Sequence, residues 1–421
     1  MRKPIVGMIL AGGRVDELSV LTAKRPKSAV PMWGMYRIID FALSNMMHSR
    51  IDVVGVLSQY RPYSLISHLD NGAPWDYLGR TRELKILSPF KGAAESDWYK
   101  GTADAVYQNL NFLEHYSPEL VVVAAGDHVY SMDYRPLIRQ HLATRAELTI
   151  ALKRVPRAQA HLYGTAVLDR DGRVVTYQEK APHPLGDLAS LTVYVFSARV
   201  LAERVRENAA SGKSFHIYSE VIPRMVADGA RVFGHVFDGY WEYTRTLDAY
   251  YAANMGILAG SPADLEAWQV RTNLRGGGVG DPPPALYLPT ARARSSLICC
   301  AATIAGTVEN SILAGGVEVA AGAVVRDSIV MHECRIAPGA VVDRAILDKR
   351  VTVEADAHIG VGEATSGPGP GGLLTCGATV IGKGTVIPAG ARVGRNCIVG
   401  PDLGADAWPA GEIPSGTTVA S

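Results

Sequence analysis

Between residue 1 and about residue 260, short apolar runs alternate with helix-like segments. The runs are IVGMIL (5–10), VVGVLS (53–58), LVVVAAGD (120–127), LTIALKRV (148–155) and LTVYVF (191–196). Hydrophobicity within each is continuous rather than alternating, which suggests strands covered on both faces, as in a parallel α/β sheet. Such sheets bind ligands beyond the carboxyl ends of their strands, so the loops after Leu10 and Ala125 are the places to look for a site.

The texture changes between about 261 and 295. RGGGVGDPPPALYLP is rich in Gly and Pro, which sustain neither a helix nor a central strand, and it reads as a connector. Beyond it, from 296 to 421, branched aliphatics recur with a period of six. Val324, Val330, Ile336 and Val342 open the comb, Leu347, Val353 and Ile359 continue it after a slip of one residue, and Ile381, Ile387, Val393 and Val399 resume it. Turns such as AGAVV and PAGARV between the teeth fit a β-helix whose triangular rungs are about three hexapeptides each. The interruption GVGEATSGPGPGGLLTCG (360–377) is expected to bulge out as a loop.

Composition narrows the picture. A chain of 421 residues with 48% apolar side chains can bury a large core in two or three domains. Lys and Arg total 42 against 41 Asp and Glu, a balance that argues against nucleic acid or an anionic membrane as the main partner. No window approaches the roughly 18 apolar residues of a membrane span, so a soluble cytoplasmic protein is expected. The five cysteines lie in the last third without CxxC spacing, which signals neither a zinc site nor a disulfide framework.

The first candidate loop, GGRVDELSVL (12–21), opens with Gly12 and Gly13 and then loses its glycines. Several further stretches share one resemblance: ILAGG (9–13), LTAKRPKSAVPMWGMYRIIDFALSN (21–45), SQYRPYSLISHL (58–69), WYKGTADAVYQNL (98–110), AGDHVYSMDY (125–134), QEKAP (178–182) and TLDAYYAAN (246–254). In this order they resemble the ADP-glucose pyrophosphorylases (glucose-1-phosphate adenylyltransferases). That resemblance implies a Rossmann-like mixed-sheet nucleotidyltransferase domain followed by a left-handed parallel β-helix. It also implies a reaction: the phosphate of glucose 1-phosphate attacks the α-phosphorus of ATP, pyrophosphate leaves and ADP-glucose forms. No covalent bond to protein is needed, so the site's task is positioning and charge neutralisation.

Carried over position by position, the resemblance makes Lys27 a substrate contact, Lys180 the holder of the sugar phosphate and Glu179 the residue that orients the sugar hydroxyls. Gly12, Gly13, Gln59, Tyr99, Gly101, Thr102, Ala103, Asp104 and Gly164 would line the substrates. Thr102 and Asp104 are equally plain as helix caps. Asp127, at the end of VVVAAGD, would hold Mg²⁺, an ion that combines one or two carboxylates with phosphates and water. The family's tetramers and anionic effectors between the two domains are implied as well, with Lys24, Arg25, Arg37 and Arg344 as anion contacts.

The chain also departs from the family. LAGGxGTRL becomes LAGGRVDEL, which puts Val15 at a glycine and Glu17 at the arginine that stabilises the leaving phosphates. At about 4 Å and an effective dielectric of about 20, two unit charges interact by roughly 4 kcal/mol, so replacing attraction by repulsion is costly. YWRDVGT becomes YWEYTRT (240–246), putting Tyr243 at the second metal carboxylate and Arg245 at a glycine. SMGIYVF becomes SLTVYVF and DFGxDLIP becomes SFHIYSEVIP. Three readings follow. The first is a weakly active or silent regulatory subunit beside a catalytic paralogue, with weakened Mg²⁺ binding. The second is an active transferase, on the same or another sugar phosphate or nucleotide, in which Arg14 and Glu242 replace the lost groups. The third is a metabolite sensor working alone.

Overall fold

The computed structural model describes residues 4–13, 15–90, 98–211, 213–260, 265–275, 281–363 and 372–420. A nine-stranded sheet organises the first 260 residues. Across it the order is Val174–Glu179, Gly164–Leu168, Leu188–Ser197, Leu120–Ala125, Ile5–Leu10, Val53–Leu57 and Glu83–Leu87. Leu148–Arg154 also pairs with Leu188–Ser197 and carries Val232–Val236 beside it.

Only part of this sheet is parallel. Ile5–Leu10 runs parallel to Val53–Leu57 and Leu120–Ala125, and Glu83–Leu87 extends that half. Leu188–Ser197 runs against Leu120–Ala125 and against Leu148–Arg154. The parallel sheet suggested by the apolar runs is therefore corrected to the mixed sheet implied by the resemblance. Val121 and Val123 belong to the core on one face, and Val122 and Ala124 to the core on the other. Burial on both faces makes a run continuous whichever way its neighbours point, so hydrophobicity cannot report strand direction.

The last third is a parallel β-helix of three sheets with six, six and seven strands. Val308, Val325, Val342 and Ile359 stack in register, so each coil takes 17 residues here. The inward tooth is Val325; Val324, named from the comb, is half-buried beside it. The one-residue slip falls in every 17-residue coil, and a strict count of six starting from Val330 backwards misplaces that tooth. Across the interruption, Leu347 pairs with Ile381 and Ile359 with Val393, so the coil resumes in register. Residues 364–371 lie outside the described residues. Leu374, near the end of the interruption, does not bulge out; it is fully buried against the first domain.

The stretch read as a connector is more structured than its composition suggests. Leu265–Trp268 is a short helix, Trp268 Nε1 donates to Asn45 Oδ1 at 2.7 Å, and the Arg271 amide donates to Ser44 Oγ at 2.9 Å. Leu286–Tyr287 already pairs with Thr303–Ile304 as part of the β-helix. Residues 261–264 and 276–280 of this stretch lie outside the described residues.

A second apolar column, one residue before the inward one, joins the domains. Leu313, Val330, Leu347, Ile381 and Val399 fill the coil, while Ile312, Ile329, Ile346, Val380 and Ile398 face outward. These outward residues share a cluster with Leu21, Trp33, Phe41, Tyr250 and Tyr251 of the first domain. Beside that cluster Arg25 and Asp348 form an ion pair, 3% and 1% exposed. All five cysteines are free, and no helix among the described residues is long and apolar enough to cross a membrane.

Removing one partner of a buried ion pair strands the other charge, at about 3–5 kcal/mol. Asp348→Ala should lose that much stability in urea denaturation, and adding Arg25→Met should recover most of it. Equal losses in the single and double variants would show that the pair's charge does not matter.

Candidate active site

The loops after Ile5–Leu10 and Leu120–Ala125 border a cavity of about 390 Å³. Gly12, Gly13, Lys27, Gln59, Tyr99, Gly101 and Thr102 line it from one side, and Asp127, Gly164, Glu179, Lys180 and Tyr243 from the other. Ala103 and Asp104 are not on its wall. They sit in the helix Thr102–Gln108, whose Ala103 and Asp104 amides both donate to the Phe215 carbonyl. The Asp104 carboxylate accepts from the Lys100 amide at 2.8 Å and from Gln108, and so closes the turn. Thr102 Oγ1 accepts from the Ile217 amide at 2.9 Å, so it ties two segments together rather than capping its own helix.

The glycines have separate reasons. A Cβ on Gly101 would stand 2.3 Å from the Phe215 carbonyl oxygen, and one on Gly164 would stand 2.5 Å from Glu179 Oε2. A side chain at Gly164 would therefore displace the carboxylate it neighbours. Gln59 braces the Tyr99 backbone from both ends, accepting from its amide at 2.7 Å and donating to its carbonyl at 3.2 Å. Thr192 also lines the cavity, and its φ of 53° is in the left-handed region that a β-branched residue rarely adopts. It sits in the irregularity between Ser190 and Tyr194, where the registers of the long strand shift.

Lys27 is almost wholly buried, and its Nζ lies 3.3 Å from Asp127 Oδ2. Burial lowers the Lys27 pKa, and Asp127 opposes that shift. Burial would raise the Asp127 pKa, yet Lys27 and His128 hold it below the ordinary carboxylate value. The Tyr243 ring covers the same ammonium, its centre 4.5 Å from Lys27 Nζ, and lies nearly parallel to Trp241. Burial and the nearby Asp127 raise the Tyr243 pKa, so the phenol keeps its proton. Trp241 Nε1 donates to His128 Nδ1 at 3.2 Å, and burial brings the His128 pKa down to about 4.

Glu17 does not face the cavity as a bare charge. Arg245, on the opposite loop, donates from Nε to Glu17 Oε1 at 2.7 Å, with Nη2 at 2.5 Å from the same oxygen. Burial would raise the Glu17 pKa, but a backbone hydrogen bond and Arg245 bring it below its usual value. The repulsion expected from Glu17 is thus largely cancelled. Glu242, considered as a replacement carboxylate, is exposed and off the cavity wall, because alternate residues of the strand Trp241–Glu242 point to opposite sides. Arg14 lies outside the described residues. Sequence reasoning passed over Arg245, His128, His216 and Tyr218, all on the wall. The signal for Arg245 was available, since the resemblance marks it and Glu17 as departures of opposite charge.

A second cavity, about 530 Å³, lies between the domains. Lys24, Arg25 and Arg37 line it, together with Lys349, Arg350 and Lys383. Arg344 does not; its Nε donates to Cys376 O and its guanidinium lies over the Tyr251 ring.

A glycine loop, convergent lysines and a carboxylate at the carboxyl edge of a mixed sheet define a nucleotidyltransferase-type pocket. The nucleotidyl transferase family model matches residues 6–260, and a GlmU-like C-terminal hexapeptide model matches 288–366, in keeping with a left-handed β-helix. A glucose-1-phosphate adenylyltransferase of Thermomicrobium roseum is 43% identical over 98% of this chain and 96% of its own length. Those of Acetivibrio thermocellus and Thermotoga neapolitana are 36% and 39% identical, each over 99% of this chain and 98% of their own. This chain belongs to the glucose-1-phosphate adenylyltransferase family.

The unfolded chain binds a proton at a histidine pKa near 6.5 that native His128 refuses down to about 4. Stability therefore falls as pH drops through that window, by on the order of 3 kcal/mol from this residue. In denaturant titrations at pH 7 and pH 4, His128→Gln should shrink the difference by about that amount. An unchanged difference would mean that native His128 takes up its proton at the usual pH.

Proposed function

We propose that this chain keeps a pocket for a nucleotide and glucose 1-phosphate but transfers the adenylyl group slowly, and that it serves as a regulatory subunit in a mixed tetramer with a catalytic paralogue in the cytoplasm. In the reaction, an oxygen of the sugar phosphate attacks the α-phosphorus of ATP and pyrophosphate departs. Lys180 would hold the attacking phosphate, Glu179 the sugar hydroxyls, and Lys27 the phosphate under attack. The observation that carries the reading of slow transfer is Tyr243, a protonated phenol over Lys27 and beside Asp127.

Family members of this kind are expected to work with Mg²⁺. The donor set here is one carboxylate, Asp127, already paired with the Lys27 ammonium, and a phenol that retains its proton. That set does not fit a firmly held Mg²⁺, which favours carboxylate, phosphate and water oxygens. The cationic cavity between the domains supports the expectation of anionic effectors, with Lys24, Arg25 and Arg37 as contacts.

An active transferase is the second reading, favoured by one observation: Arg245 brings a guanidinium to the cavity that lost one at position 17. A pyrophosphate-release assay with ATP, glucose 1-phosphate and Mg²⁺ separates the two. We expect turnover at least 100-fold below that of the Thermomicrobium roseum relative, about 3 kcal/mol in barrier. Tyr243→Asp should raise it tenfold or more. Turnover matching the relative's would establish the active reading instead. Co-expression with a paralogue carrying the family's arginine and aspartate should change that paralogue's response to effectors.

A further inference from the structure

Glu17 and Arg245 are 228 residues apart in sequence and form an ion pair beside the cavity, Arg245 on its wall and Glu17 off it. Each is a departure from the family, and their charges are opposite. Arg245 spends Nε and Nη2 on Glu17, while Nη1 is 3.5 Å from the Tyr243 hydroxyl, on the cavity side. A guanidinium carries five N–H donors, so this geometry leaves donors for a ligand. Arg245 lines the cavity together with Lys27 and Lys180; Glu17 stands behind it.

Lys27 is occupied by Asp127, and Lys180 has Glu179 within 3.9 Å. Both lysines stand beside carboxylates that are themselves on the cavity wall. Arg245 alone of the three has its hydrogen-bonded acid off that wall, so the acid that fixes its direction is not on the surface a ligand meets. A planar fork held from behind suits the adjacent oxygens of a pyrophosphoryl group better than a single ammonium does.

We propose that Arg245 is the pocket's pyrophosphate-binding residue and Glu17 its positioning residue, so that the phosphate guanidinium enters from the 240–246 loop instead of the glycine loop. The ligand class is inorganic pyrophosphate or the β- and γ-phosphates of a nucleoside triphosphate. This rests on the reading of the cavity as a nucleotide site, and direct binding tests it without requiring turnover.

Calorimetry on the full chain would use inorganic pyrophosphate, ATP and AMP as probes. Arg245→Gln should weaken pyrophosphate and ATP about tenfold or more and AMP less than threefold, because AMP lacks the outer phosphates. Arg245→Lys should fall between, keeping the charge without the fork. Glu17→Gln, which keeps an acceptor for Arg245 and removes a negative charge, should tighten pyrophosphate two- to fivefold. The exchange Glu17→Arg with Arg245→Glu, which restores the ion pair but puts the acid on the cavity wall, should bind pyrophosphate no better than Arg245→Gln. ATP binding unchanged by Arg245→Gln, or lost in parallel with AMP, would overturn the role of Arg245 while the nucleotide pocket stood. An unaltered chain that binds neither ATP nor AMP would overturn the pocket itself. Thermal melting of each variant separates a binding loss from unfolding, and the half-exposed position of Arg245 keeps the fold out of the comparison.

Discussion

Arg25 and Asp348 form the buried ion pair on which the arrangement of the molecule turns. Asp348 comes from the β-helix and Arg25 from the segment that, two residues later, supplies Lys27 to the cavity. Two charges this far from water persist only when each satisfies the other, and Arg25 Nε finds a second partner in the Leu21 carbonyl. The position of Lys27 is therefore tied to the way the two domains meet. The apolar column from Ile312 to Ile398 supplies the area of that contact, and the ion pair fixes its register.

The short segment 24–27 touches both cavities. Lys24 and Arg25 line the space between the domains, and Lys27 lines the pocket at the carboxyl edge of the sheet. In the pocket itself, charges are matched in pairs: Lys27 with Asp127, Lys180 near Glu179, Arg245 with Glu17. The pairing means that Glu17 is not a bare charge beside the cavity, since it neutralises the Arg245 guanidinium.

Much of this was legible in the chain. The five apolar runs are strands, the six-residue comb is a β-helix that resumes after the interruption, and eleven of the thirteen residues assigned to substrates or metal line one cavity. The misses have particular causes. Val324 was chosen over Val325 because both are valines and a coil of 17 residues does not keep a strict six. The outward column Ile312, Ile329 and Ile346 repeats in sequence as plainly as the inward one, but nothing local says that a second domain lies against it. Asp104 was assigned to the substrate wall because a motif gives neighbours along the chain, not the face of the helix on which each residue lies.

Sequence alone determined the elements, because burial on one or two faces leaves its period in the residues themselves. It also determined the family, because the motifs follow one another in a single order across most of the first domain. Only the folded chain decided which strands run against their neighbours and the partner of each charge. Whether Glu17 repels a phosphate or secures Arg245 depends on a distance of less than 3 Å between residues 228 positions apart, and electrostatic energy follows separation in space.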